Sequence, residues 1–188
     1  MWRSLKEIFR LLGSISTAQL AGALGSVFTR TSVSTWYKSL RKPKLAPSGR
    51  FIAVVWIILY TLMGISAYLV SRKGSDMKEV KGALNIYKLQ LGLNVLWSFA
   101  FFGLRSALAG LGMISLLWGS IVVTILKFRK ISGAAALLLI PYLIWVSIAG
   151  YLNYSIWRLN RKDWTREHKR QLSPLENFLL KTLKGIFH

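Results

Sequence analysis

Aromatic and amide side chains recur at helical spacing within three apolar stretches of the chain. Steps of three or four residues place side chains on one face of a helix. The stripes are Trp56, Tyr60 and Gly64; Gln90, Asn94, Trp97, Phe101 and Arg105; and Tyr142, Trp145, Ala149, Leu152 and Asn153. Apolar walls with a few polar groups are typical of a pocket for a small molecule. The stripes therefore predict such a pocket between helices.

The amides admit a second interpretation. An amide in hydrocarbon is costly unless it is paired, so Gln90, Asn94 and Asn153 are expected to face the bundle interior or a wet cavity. There they would either join helices or contact a ligand, and the aromatic stripe would either fill the core or line a pocket. The coincidence of both residue types on the same faces favours the pocket.

Side chains for catalysis are scarce. The chain has no cysteine, its two histidines are His168 and His188, and its six acidic residues lie outside the apolar stretches. General acid–base catalysis and metal binding need such groups clustered in one site. The sequence therefore predicts a binding protein that is not an enzyme and requires no cofactor.

Five apolar stretches are predicted to position these side chains as membrane spans. About 20 apolar residues cross the hydrocarbon layer of roughly 30 Å, and 53% of the 188 residues are hydrophobic. The short connectors after the third and fourth spans make successive helices antiparallel neighbours. We predict an all-α integral membrane protein, a five-helix bundle over residues 1–160 with a tail over 161–188. The spans are 8–28, 51–70, 84–102, 107–126 and 133–157.

Two of these segments leave alternatives open. The first span is rich in Gly and Ala, so it would be either a closely packed span or an amphipathic or cleaved signal segment. The basic tail places apolar residues on one face of 175–187. It would be either an amphipathic helix on an anionic lipid surface or a solvated charged tail.

Positive charge dominates the connectors and the tail. The chain has 26 Lys and Arg against six acidic residues, which gives a net charge of +20. Cations at the ends of membrane spans meet lipid phosphates. Membrane lipids are therefore the expected partners of this charge, and nucleic acid is not.

Three blocks resemble the translocator protein family, TspO/MBR, whose members are also called tryptophan-rich sensory proteins or peripheral benzodiazepine receptors. In order, they are WYKSLRKPKLAP with VVWIILYTLMG, then QLGLNVLWSFAFFGLRSAL, then PYLIWVSIAGYLNYSIWRLN. The resemblance implies five transmembrane helices around a cavity that opens toward one leaflet and is covered by the first connector. It also implies binding of porphyrins, in some members of sterols and synthetic ligands, and frequent homodimers.

Matched position by position, the resemblance also implies site residues. The ligand-binding candidates are Trp36, Tyr37, Ala53, Trp56, Tyr60, Asn94, Trp97, Phe101, Trp145, Ala149 and Leu152. The first connector, residues 34–51, is predicted to be a lid that contains Lys42, Pro43 and Pro47, because two prolines restrict its backbone. A loose sterol-contact pattern is formed by Leu152, Tyr154 and Arg158.

The predicted function is a membrane receptor or sensor that binds porphyrins or other tetrapyrroles, together with sterol-like lipids. Two alternatives are a transporter of sterol or porphyrin between leaflets and a protein that degrades porphyrin in light. The expected partners are these small molecules, membrane lipids and a second copy of the chain. The predicted location is a bacterial or archaeal cell membrane, or the mitochondrial outer or endoplasmic reticulum membrane of a eukaryote.

Overall fold

The computed structural model describes residues 2–44, 46–74 and 77–161. This part of the chain is helical and contains no strand. The predicted tail beyond residue 161, with its apolar face over 175–187, lies outside the described residues. In chain order the helices are α1 (Trp2–Val33), α2 (Trp36–Ser39), α3 (Gly49–Ser71), α4 (Lys78–Ser98), α5 (Ala107–Ile131), α6 (Gly133–Leu138) and α7 (140–161), with a π-helical turn over Phe99–Gly103.

Within this part of the chain, four helical segments are long and apolar enough to cross a membrane. They are Leu5–Val33, Gly49–Ser71, Ala107–Ile131 and Gly133–Arg161. The predicted third span corresponds to α4, which contains Lys78, Glu79, Lys81 and Lys88 and does not belong to this set. Four spans thus follow from length and composition, and the fifth crossing stays a prediction.

The helices extend beyond the predicted apolar spans. Helix α1 begins at Trp2 and α4 at Lys78, each six residues before the predicted start. A helix makes its backbone hydrogen bonds within its own segment, so polar side chains can continue it beyond the hydrocarbon layer. The first connector is correspondingly shorter than predicted, because α3 already begins at Gly49.

Serine residues cap the N-terminal ends of three helices. The hydroxyl oxygens of Ser48, Ser106 and Ser132 accept hydrogen bonds from the backbone N–H groups three residues further on, at the starts of α3, α5 and α6. Such caps satisfy N–H groups that have no partner inside the helix. The last apolar segment is interrupted at Leu139, between α6 and α7 and two residues before Pro141, whose ring nitrogen has no N–H to donate.

Helix α1 packs along α3 from Glu7 to Gly22 and then separates from it. The Ser14 hydroxyl donates to the Gly64 carbonyl over 2.9 Å, and Gly64 faces the backbone of Ile15. Nearer the first connector, α1 lies instead against the π-helical turn, where the Ser32 hydroxyl donates to the Phe102 carbonyl over 2.6 Å. The divergence of α1 and α3 leaves room between them at that end of the bundle.

Candidate functional site

A cavity of about 440 Å³ occupies the end of the bundle near the first connector. Its walls come from α1, α3, α4 with the π-helical turn, and α7, and Tyr37 of α2 adds to them. Most of the lining is apolar. Its volume lies within the roughly 300–1,000 Å³ typical of small-molecule sites.

The structure brings together all but one of the predicted ligand-binding residues. Around the cavity lie Tyr37, Ala53, Trp56, Tyr60, Asn94, Trp97, Phe101, Trp145, Ala149 and Leu152. The exception is Trp36, which packs edge-on against Phe101 with ring centroids 5.4 Å apart. Trp36 therefore supports the wall from behind, and ligand contact by the other ten stays a prediction.

The predicted lid residues do not line the cavity. The Lys42 ammonium lies 4.5 Å from the ring centroid of Tyr37, and the Pro43 carbonyl accepts a turn hydrogen bond from Ala46 over 3.0 Å. Burial raises the pKa of the Tyr37 hydroxyl above its ordinary value, so this group stays protonated at neutral pH. The connector thus reaches the cavity through Tyr37, with Lys42 packed on that ring.

Tyr60, Asn94 and Tyr142 form a buried hydrogen-bonded relay, of which Tyr60 and Asn94 line the cavity. The Tyr60 hydroxyl donates to Asn94 Oδ1 over 2.8 Å, and Asn94 Nδ2 donates to the Tyr142 hydroxyl oxygen over 2.9 Å. Asn94 is 2% exposed and Tyr142 is fully buried. The Tyr60 ring lies against Gly22 of α1, where a methyl group would overlap it. Asn94 therefore ties α3 and α7 to α4 while it faces the cavity.

A second amide joins the helices beside the π-helical turn. Asn153 Oδ1 accepts a hydrogen bond from Trp97 Nε1 over 3.2 Å, and its Nδ2 donates to the Ala107 carbonyl over 2.7 Å. Asn94 and Asn153 thus join helices and also line the cavity, and their contact with a ligand stays a prediction. Gln90 is 1% exposed and does not line the cavity, so it faces the interior only.

Indole rings form much of the apolar wall. Trp56 stacks on Tyr60 with centroids 5.4 Å apart, and Trp97 stacks on Phe101 at 5.9 Å. Trp145 Nε1 is buried and has no hydrogen-bond partner. A buried donor without a partner is costly, so this N–H is suited to an acceptor atom on a ligand.

Helix α1 forms one wall of the cavity, and this contribution was not predicted from the sequence. Gln19, Gly22, Ser26 and Thr29 line the cavity and follow one another at steps of three and four residues. Their spacing was a usable signal, but small residues in this span were interpreted as packing positions. The Gln19 side-chain amide donates to the Ile57 carbonyl and to Thr61 Oγ1, over 2.9 and 3.0 Å, which fixes α1 beside α3.

The cavity is not closed off between α1 and α3. Ala23 and Ser26 on α1, and Ala53 and Ile57 on α3, line the cavity and are also exposed. Both helices are apolar enough to lie in a membrane, where an opening between them would face lipid.

The predicted sterol-contact residues do not share one surface. Leu152 lines the cavity, whereas Tyr154 is 43% exposed and its ring lies beside that of Trp157. Arg158 is also exposed. Positions two apart point to nearly opposite sides of a helix, so Leu152 does not share a face with Tyr154, and sterol contact by these three residues stays a prediction.

The described residues contain no group of three or more His, Asp or Glu side chains that is placed to hold a metal ion. Within that part of the chain, the polar groups that line the cavity are amides, hydroxyls and indole N–H groups. These groups hydrogen-bond and orient a guest. This arrangement suits a binding site better than an acid–base catalyst.

Comparison with known proteins gives consistent matches. The model of the TspO/MBR family matches residues 14–158. The tryptophan-rich protein TspO of Chlorobaculum tepidum is 43% identical over 155 residues, which cover 82% of this chain and 98% of the relative. The translocator protein of Bos taurus is 37% identical, with 82% and 90% covered. The tryptophan-rich sensory protein of Cereibacter sphaeroides is 34% identical, with 72% and 81% covered.

Proposed function

The chain belongs to the TspO/MBR family, a family of membrane proteins named as translocators and sensors, and we propose that its cavity binds a porphyrin or a similar tetrapyrrole. The observation that carries this proposal is the placement of Trp56, Trp97 and Trp145 around one apolar cavity of about 440 Å³. Indole faces offer large, rigid area to a flat aromatic guest. The role is that of a receptor or sensor in the membrane.

Cations near the first connector support a guest that carries carboxylates. Lys38, Lys44 and Arg50 are exposed on or beside the connector, at the end of the bundle where the cavity lies. A porphyrin combines a flat apolar ring system with propionate groups. The ring would lie among the tryptophans while the propionates meet these cations through charge-assisted hydrogen bonds.

We assign the fifth membrane crossing to α4. Its inner face is buried, including Val80, Ala83 and Leu91, and the helix contacts α1, α3 and α5. A helix packed against three membrane-spanning neighbours would cross the bilayer with them. Its lysines fall in the half that begins at Lys78, where long side chains can extend toward the headgroups. The homodimer stays a prediction.

Passage of ligand into the lipid is a second candidate function. It is favoured by the lateral opening between α1 and α3, through which a sterol or porphyrin would move directly between the cavity and the bilayer. Transfer of porphyrin from loaded to empty vesicles tests it. Faster transfer than in protein-free vesicles supports this function, and equal rates refute it.

Titration with protoporphyrin tests the binding proposal. We expect saturable binding, measured by the change in porphyrin absorbance. Trp56→Phe and Trp145→Phe are each expected to raise Kd about tenfold, because stacking area and an N–H donor are lost. Trp118→Phe is the matched control, because Trp118 is 45% exposed on the outer surface and does not line the cavity. An absence of saturable binding would refute the proposal, as would an equal effect of Trp118→Phe.

A further inference from the structure

The side chain of Asn160 joins the end of α7 to the backbone of the first connector. Asn160 Oδ1 accepts a hydrogen bond from the Arg41 N–H over 3.0 Å, and Asn160 Nδ2 donates to the Arg41 carbonyl over 3.0 Å. The same Nδ2 donates to the Ile156 carbonyl over 2.7 Å, which fixes the amide on its own helix. Asn160 is only 5% exposed, so water competes little for these hydrogen bonds.

The residues just before Arg41 connect the hydrogen-bonded backbone to the wall of the cavity. Leu40 is buried in a small cluster with Phe101, Ala107 and Ile156, and Tyr37 lies in the cavity wall. Fixing the backbone at Arg41 therefore fixes the segment that presents Tyr37. The following residues turn away at Pro43 and lead to α3.

We propose that Asn160 is a positioning residue that latches the first connector over the aqueous end of the cavity. It acts through Arg41 and Tyr37 and does not itself line the cavity. When the latch is broken, the connector opens more often, so solutes in water reach the cavity faster and a bound guest leaves faster. The consequence for ligand retention rests on the proposed function, whereas opening itself does not require a ligand.

Asparagine is suited to this role because one amide supplies a donor and an acceptor side by side. The backbone N–H and carbonyl of a single residue need that pair of groups. An aspartate at 160 would keep the acceptor but place a carboxylate oxygen against the Arg41 carbonyl. An alanine would remove both hydrogen bonds with Arg41 and most of the side chain. Asn160→Asp removes one of these hydrogen bonds and keeps the size of the side chain, so the two variants distinguish the two effects.

Cysteine labelling in ligand-free protein tests the latch. The natural chain has no cysteine, so Ala149→Cys places a single thiol in the cavity wall. The protein is reconstituted in lipid nanodiscs and treated with a charged, membrane-impermeant maleimide. Because this reagent does not enter the hydrocarbon layer, it can reach the cavity only from the water. We expect Asn160→Ala to raise the labelling rate about tenfold, since two lost hydrogen bonds shift the opening equilibrium. Asn160→Asp should also raise it.

Two matched controls separate an open connector from a loosened bundle. Asn85→Ala removes an exposed amide from α4 and should leave the labelling rate unchanged. Ala83→Cys, in place of Ala149→Cys, reports on the core of α4, where Ala83 is 1% exposed. Its labelling should stay slow in Asn160→Ala. An unchanged rate at Ala149→Cys, or an equal rise at Ala83→Cys, would overturn the latch.

Ligand release provides the second measurement. From porphyrin-loaded protein, dissociation is expected to be about tenfold faster in Asn160→Ala than in the natural chain, and unchanged in Asn85→Ala. If the natural chain binds no porphyrin, the proposed function fails while the labelling rates still decide the latch. If it binds porphyrin and Asn160→Ala alters neither rate, the latch alone is wrong.

Discussion

Replacing Gly64 by alanine is expected to lower the free energy of unfolding by about 1–3 kcal/mol, the usual cost of an added group in a filled site. A Cβ atom at this position would lie 2.5 Å from Ile15 Cα and 2.9 Å from Ile15 N. Both are backbone atoms of α1, so no side-chain rotation relieves the overlap and the whole helix must move. Gly64→Val should cost more than Gly64→Ala.

Movement of α1 would also reach the cavity. The hydrogen bond from Ser14 to the Gly64 carbonyl would lengthen, and the wall that Gln19 and Gly22 form would shift from the Tyr60 ring. We therefore expect Gly64→Ala to weaken porphyrin binding as well as stability. Reversible unfolding in mixed micelles, followed by tryptophan fluorescence, measures the first effect, and titration measures the second.

Gly92→Ala is the matched control for Gly64→Ala. Gly92 also lies within a long helix, but a Cβ atom added there meets nothing within 4 Å. Alanine is favoured over glycine in a helix by up to about 1 kcal/mol, so Gly92→Ala should be neutral or stabilising. A similar loss of stability in the two variants would show that the close crossing of α1 and α3 is not the cause.

Asn94→Leu is expected to destabilise the bundle by about 1–3 kcal/mol, although the two side chains have the same branching and the same number of non-hydrogen atoms. Hydrogen bonds between membrane helices are modest, on average roughly 0.6 kcal/mol each. Here, however, the substitution leaves the buried hydroxyls of Tyr60 and Tyr142 without their hydrogen-bond partner, and each unpaired hydroxyl adds a desolvation cost. The same reversible unfolding in micelles measures the change.

Adding Tyr60→Phe and Tyr142→Phe to Asn94→Leu should recover most of the lost stability. Replacing every member of a polar network by apolar groups of similar shape is close to neutral. Asn85→Leu, on the exposed face of the same helix, controls for the change in composition and should not destabilise. If the triple variant were less stable than Asn94→Leu, the relay would not be the source of the loss.

Hydrophobicity alone located most of the fold. The predicted spans 51–70, 107–126 and 133–157 each fall inside a single apolar segment, Gly49–Ser71, Ala107–Ile131 and Gly133–Arg161. Helix ends were less predictable, because backbone hydrogen bonding continues a helix where apolar composition stops. Lys127, Arg129 and Lys130, for example, still belong to α5.

Periodicity placed much of the cavity wall. The central members of the three stripes line one cavity, since a helix of known span fixes which residues share a side. The members that do not line it are Gly64, Gln90, Arg105 and Tyr142. The contribution of α1 was missed because glycine and serine have little to distinguish a cavity wall from a close contact. Trp36 packs against Phe101 and does not line the cavity, and the sequence alone does not give the orientation of so short a helix as α2.

Contacts between distant residues were beyond the reach of sequence patterns. Asn160 and Arg41 are 119 positions apart, and neither spacing nor composition connects an amide at the end of one helix with a loop backbone. The π-helical turn over Phe99–Gly103 is a similar case. Both Phe101 and Phe102 line the cavity from this turn, and nothing in the sequence pattern distinguishes it from a regular helix.

The close contact between Gly64 and Ile15 is a point about which α1 could rotate. It does not belong to the lining of the cavity. Beyond that point α1 is joined to the π-helical turn by the Ser32 hydrogen bond and by the rings of Phe28 and Phe99, 5.2 Å apart. A rotation of α1 about this contact would have to break the hydrogen bonds of Gln19 to Ile57 and Thr61 before the gap to α3 widened. The girth of molecule that the cavity admits would then depend on how firmly these side-chain attachments hold α1 in place.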